Sequence, residues 1–171
     1  MSTNETGGCT LHFEKIPETL EELKALPEAD LKTPYASAAL TVLALCVWPQ
    51  DKEESKKMLM FLSGPKQLTP MDWQFISDRF MNGVDYIPRS YFKGAVPEND
   101  YTPDQPYTLV VYDDPYTPDD KNYVSVMLQS GGADSKRKVT LRLKPSTGQY
   151  FLWDEFLLPG IRTPKSRDEW A

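Results

Sequence analysis

Apolar and polar positions alternate strictly over residues 123–129, with Val124, Val126 and Leu128 on one face and Tyr123, Ser125, Met127 and Gln129 on the other. A period of two predicts a half-buried strand. The turn sequence Ser130-Gly131-Gly132-Ala133-Asp134-Ser135 follows it. Residues 139–144 alternate again, Val139, Leu141 and Leu143 against Thr140, Arg142 and Lys144. Pro145-Ser146-Thr147-Gly148 then turns the chain into residues 149–156, which are apolar on both faces: Tyr150 and Leu152 against Phe151 and Trp153. A strand of that kind is predicted to be central or covered on both sides. Turns this short make neighbouring strands antiparallel, so the three form a meander. Residues 107–112 predict a fourth strand, and residues 11–16 a short edge strand or an ordered lead-in.

The pattern changes to helical spacing between residues 17 and 83. Pro17, followed by Glu18, Glu21 and Glu22, predicts a helix start, with Leu20, Leu23 and Leu26 inward and Pro27 as the stop. Thr33-Pro34 is a second start, Thr as cap and Pro in the first turn. The helix it opens, Pro34 to Val47, is apolar nearly all round. Such a helix is buried, and it is predicted to lie across the sheet. Asp51 and Glu54 have the spacing of a capping box and open a third helix that ends before Gly64. Thr69-Pro70 opens a fourth, with Trp73, Ile76 and Phe80 inward and Asn82-Gly83 as its stop.

Periodicity is lost from 84 to 106, where Pro88, Pro97, Pro103 and Pro106 interrupt the chain and Tyr86, Tyr91, Phe92 and Tyr101 are scattered. An irregular segment of this length is uncommon in a small domain and is often functional. The tetrapeptide Tyr-Thr-Pro-Asp occurs at Tyr101 and again at Tyr116, and reads as one turn chemistry used twice. Residues 1–10 read as a disordered tail. Residues 11–171 read as a single α+β domain: a helical part at about 17–83, the link 84–106, a sheet part 107–158 and a C-terminal tail 159–171. Trp170, in that charged tail, is expected to pack back on the body or to anchor something else.

The chain has a net charge of -6, which argues against a nucleic-acid or anionic-membrane partner. The basic run Lys136-Arg137-Lys138 reads as a solvated strand end. Two cysteines, Cys9 in the tail and Cys46 in an apolar helix, do not make a disulfide framework, so a reducing compartment and a cytoplasmic location are expected. The first residues lack the pattern of a signal peptide, and the longest apolar run is too short to span a bilayer.

Candidate chemistry is sparse. The one histidine, His12, stands in a C-x-x-H pair with Cys9, and no second pair exists to complete a zinc site. The acidic loop 113–120 lacks the glycine and the twelfth-position glutamate of an EF-hand. Neither glycine-rich nucleotide loop occurs, and Gly131-Gly132 reads as a strand connection. No cofactor or metal is expected. Asp85, Asp100, Asp154 and Glu155 are carboxylates whose pKa a pocket could raise, Asp154 foremost because it ends an aromatic strand.

Five features carry a resemblance: Pro88-Arg89-Ser90-Tyr91-Phe92, Asn99-Asp100-Tyr101-Thr102-Pro103, Ser130-Gly131-Gly132-Ala133-Asp134-Ser135, Trp153, and Ile161-Arg162-x-Pro164-x-x-x-Asp168-x-Trp170. On these, residues 11–171 resemble a family of uncharacterised bacterial proteins, common in anaerobic Firmicutes and classed as a domain of unknown function. Its members more usually end Asp-Pro-Trp, where this chain has Glu169 in the middle place. The resemblance implies no activity. The helices-then-sheet order is also similar, more loosely, to the cystatin-like and NTF2-like α+β folds, in which a curved antiparallel sheet wraps a helix and can enclose a pocket.

The fold class expected is therefore α+β, an N-terminal helical layer packed on a C-terminal antiparallel sheet. The function expected first is a non-catalytic binding or protein-interaction module, with Arg89, Tyr91, Phe92, Tyr101, Arg162 and Trp170 as its surface and an unknown protein as its partner; the structural alternative is that these residues stitch the link and tail onto the sheet. The alternative is a small-ligand pocket protein or small enzyme, with Tyr150, Trp153 and Asp154 at the pocket. A further alternative is a homo-oligomer that self-associates through a sheet edge or the tail.

Overall fold

The computed structural model describes residues 2–3 and 7–171. Among the described residues six antiparallel strands lie in sequence order: β1 (Ser2–Thr3), β2 (Cys9–Phe13), β3 (Tyr107–Asp113), β4 (Tyr123–Leu128), β5 (Arg137–Lys144) and β6 (Gln149–Glu155). The meander and the fourth strand stand where alternation places them. One expectation is corrected at the N-terminus. Ser2–Thr3 and Cys9–Thr10 pair in the sheet instead of forming a loose tail, and β2 is an interior strand, with Cys9 opposite Val111 and Phe13 opposite Tyr107. The disorder expected for residues 1 and 4–6 falls outside the described residues.

Helices α1 (Leu20–Lys24), α2 (Pro34–Val47), α3 (Lys52–Ser63) and α4 (Pro70–Arg79) all lie in the connection between β2 and β3. Thr19 caps α1, so Pro17 lies ahead of the helix and not in its first turn. Thr33 caps α2 through Ala36 N–H at 3.1 Å. Eleven of the fourteen α2 residues are buried, which is why the helix is apolar all round. It touches every strand from β2 to β6. A helix of this length spans about 21 Å, close to the ~19 Å across five strands, so α2 crosses the sheet as predicted. The capping box expected at α3 is divided. Asp51 caps Glu54 N–H at 3.2 Å, whereas the Glu54 carboxylate accepts from Leu20 N–H at 2.8 Å and ties α1 to α3. Thr69 and Asp72 form the full box at α4.

The free edge of β6 is covered by the helical layer. Tyr150 N–H donates to Leu31 O at 2.8 Å, Ser37 Oγ donates to Tyr150 O at 2.6 Å, and Lys66 Nζ donates to Trp153 O. An open sheet edge invites pairing with another chain, and these bonds occupy it at Tyr150 and Trp153.

The pairing of β5 with β6 is interrupted. Leu141 stands opposite Leu152, but Thr140 stands opposite Asp154, so Trp153 is an extra residue, a β-bulge. A bulge reverses the alternation beyond it. Glu155 consequently faces Val139, on the core side, and Asp154 faces outward with Thr140.

Candidate functional site

The bulge shapes a cleft between the helical layer and β6. A cavity of about 320 Å³ lies between α3, α4 and β6, walled by Leu45, Leu59, Ile76 and Leu152 and reached by Trp153 and Glu155. Its rim carries large apolar side chains left in water: Met71 at 80%, Phe75 at 42% and Phe156 at 56% exposure. Burial pushes the Glu155 carboxyl up to about 7, and the charge of Asp154 adds to this. The Leu157 N–H, donated to Glu155 Oε2 at 2.7 Å, and the more distant Arg79 guanidinium oppose it. Arg79 itself lies over Phe75, 4.6 Å from the ring, and its Nε is buried without a hydrogen bond. A desolvated carboxyl at the end of an apolar cleft can donate or accept a proton near neutral pH.

Trp153 also lines a second cavity, of about 500 Å³, together with Ser63, Lys66, Arg142, Lys144 and Phe151. Lys66 Nζ sits 4.4 Å from the Trp153 ring and marks the partition between the two spaces, which share Ser63, Lys66, Leu152 and Trp153. Trp153 is held edge-on by Tyr123 at 5.3 Å.

Of the three pocket residues expected from sequence, Trp153 and Asp154 reach the inner cavity and Tyr150 does not; its backbone ties β6 to α2 instead. The expected roles of Asp154 and Glu155 are exchanged. Asp154 is exposed and accepts from Glu155 N–H at 3.0 Å, while Glu155 carries the desolvated carboxyl. Lys66, Met71, Phe75 and Phe156 were absent from the expectation because they come from three separate elements with no common motif.

The expected interaction surface does not form. Tyr91, Phe92 and Tyr101 are buried at 4%, 2% and 0% exposure. Tyr91 Oη donates to Leu157 O, Phe92 packs on Tyr107, and Tyr101 stacks on Tyr86 and donates to Arg162 O at 2.6 Å. Burial drives the Tyr91 hydroxyl well above its ordinary value and pushes that of Tyr101 up to about 12. Arg89 is spent internally: Nε donates to Tyr101 O at 3.1 Å, Nη1 to Asp85 O at 3.1 Å and Nη2 to Asp100 O at 3.0 Å. Asp100 and Tyr101 both take the left-handed conformation, strained for such residues, and Arg89 pins both carbonyls. Arg162 is exposed and pairs with Asp134 at 2.9 Å. Trp170 does not pack back; it is 93% exposed.

Four of the five features of the family resemblance converge on one junction, and Trp153 lies apart from it, in the cleft. Gly131 N–H donates to Ser90 O at 2.8 Å, Ser130 Oγ to Ser90 Oγ at 2.7 Å, and Arg162 N–H to Gly132 O at 3.0 Å. A Cβ on Gly131 would lie 1.9 Å from Ala95 O, and one on Gly132 2.0 Å from Tyr101 Oη. These glycines serve close approach of link and tail. The two Tyr-Thr-Pro-Asp copies differ in use: Tyr101 is fully buried and Tyr116 is 84% exposed.

Other candidates resolve structurally. Cys9 and His12 fall on opposite faces of β2, so they cannot share a metal. His12 Nδ1 bonds Thr108 Oγ1 at 2.9 Å. No group of three metal-ligating side chains forms among the described residues. In the acidic loop, Asp113 accepts from Tyr35 Oη and Asp114 pairs with Lys138 at 3.2 Å. Arg137 holds Pro159 O and Gly160 O. A wider depression of about 710 Å³ beside Trp48 and Cys46 offers Asp85 and Arg89, already paired with each other, Asp85 also being paired with Arg167. Among the described residues no helix is long and apolar enough to cross a membrane.

No curated protein and no solved structure matches the chain. A family model described as Domain of unknown function (DUF6935) matches residues 15–165, and the chain belongs to that family.

Proposed function

We propose that this protein binds a small ligand in the cleft between α4 and β6. The observation that carries the reading is the desolvated Glu155 carboxyl at the end of a mostly apolar cavity, lined also by Lys66, Asp72 and Asp154, whose rim leaves Met71, Phe75 and Phe156 in water. A concave apolar space with a single polar group of perturbed pKa is the common form of a ligand site. The ligand suited to it has an apolar body and one hydrogen-bonding or basic group to meet Glu155. At about 320 Å³ the cavity suits a molecule at the small end of the usual range.

The test is a fragment titration followed by backbone amide NMR, using small neutral alcohols and amines. Saturable shifts concentrated on residues 71–76 and 152–156, and lost in Met71→Trp at the exposed rim, support the reading. Shifts that are scattered, or that persist in Met71→Trp, overturn it.

A second reading, a protein-interaction module, is favoured by one observation, the fully exposed Trp170. Pull-down with and without Trp170→Ala separates it from the first. We take both readings to apply in a bacterial cytoplasm; the two free cysteines, Cys9 and Cys46, suit a reducing compartment.

A further inference from the structure

We infer that the outer cavity, on the other side of Lys66, is a separate site for a small aromatic or aliphatic carboxylate. The walls are apolar: Phe151, Leu152, Trp153, Leu143, Pro65 and Pro145. Every charged side chain lining it is a cation: Lys66, Arg142 and Lys144. In a chain of net charge -6 this is a local inversion of sign. Among the described residues, none of the three has a carboxylate within ion-pair distance; the ion pairs of the molecule lie elsewhere. Lys66 donates one N–H to Trp153 O and lies 4.4 Å from the Trp153 ring, leaving its other N–H groups for a ligand, while Arg142 lies 5.0 Å from the Trp153 ring and 5.2 Å from that of Tyr123.

Cations parked on aromatic faces keep their charge and gain only a modest attraction there. An arriving carboxylate offers them a stronger, charge-assisted bond, bidentate in the case of Arg142. Trp153 and Phe151 offer the apolar and stacking surface for the rest of the ligand. The volume, about 500 Å³, accommodates a one- or two-ring acid. This site goes beyond the inner cleft and does not require it to be occupied, since Glu155 lines only the inner space.

Three isosteric probes test the inference by calorimetry: 1-naphthoate, 1-naphthalenemethanol and 1-naphthylmethylamine. The acid is expected to bind at least about tenfold tighter than the alcohol, with the amine weakest. Its affinity falls several-fold between about 20 and about 300 mM NaCl. Arg142→Gln and Lys144→Gln, both at exposed positions, each weaken the acid roughly fivefold and leave the alcohol unchanged. Glu155→Gln leaves acid binding unaltered. Equal binding of acid and alcohol, or acid binding indifferent to both Arg142→Gln and Lys144→Gln, overturns the inference. So does loss of acid binding in Glu155→Gln, which would put the acid in the inner cleft. Failure of all three probes to bind overturns the outer site while leaving the NMR test of the inner cleft intact.

Discussion

Glu155 stands directly opposite Val139 in the β5–β6 ladder, on the buried face of the sheet, because the unpaired Trp153 precedes it by two residues. That placement desolvates a carboxyl and raises its pKa from 4.5 to about 7. The folded state therefore favours the protonated form. Its contribution to stability is complete below pH 4.5 and is lost as the pH rises through about 7. Glu155→Gln removes this dependence. Urea unfolding at a series of pH values is expected to show the variant equal to the parent near pH 4.5 and more stable at pH 8, by on the order of 2–3 kcal/mol. A difference that does not change with pH would mean that Glu155 is solvated.

Gly132 and Tyr101 are coupled by contact. Any Cβ at 132 meets the Tyr101 hydroxyl at 2.0 Å. Gly132→Ala is expected to cost about 2–4 kcal/mol. Tyr101→Phe alone loses the bond to Arg162 O, about 1 kcal/mol, yet it removes the nearest clashing atom. The double variant should be less destabilised than the sum of the singles, a non-additivity measured by a thermodynamic cycle.

Arg89 and Arg162 look alike in sequence, each sitting in a family motif, and differ in structure. Arg89→Lys loses the fork that holds the carbonyls of Asp85, Asp100 and Tyr101, and is expected to destabilise by about 2 kcal/mol. Arg162→Ala breaks only an exposed pair with Asp134 and should stay within ~0.5 kcal/mol. Thermal unfolding of the two variants side by side distinguishes a stitching residue from a surface one.

Local signals were enough for α2, whose bounds Pro34 and Val47 follow from a Thr-Pro start and an all-round apolar run. They were enough for the meander too, because alternation and turn residues sit next to one another in the chain. The pairing of Cys9 with Val111 joins residues about a hundred positions apart and has no local mark. Burial of the link was hidden for another reason. Prolines destroy periodicity, so the sequence does not decide whether Tyr91, Phe92 and Tyr101 face outward or stitch the link onto the sheet; in the structure each is held by a specific partner. The site was half legible. Trp153 was visible as an aromatic at the end of a strand. Asp154 stood out as the carboxylate that ends that aromatic run, and the insertion of a single residue into the ladder puts Glu155 inward in its place.

The most direct test is a crystal structure of the protein purified gently from its source and inspected between Phe75, Trp153 and Glu155. Continuous density for a small molecule in that cleft, with a polar atom within hydrogen-bond distance of the Glu155 carboxyl, is the predicted result. A cleft closed by its own side chains, with Glu155 turned to solvent, would contradict the ligand-binding account.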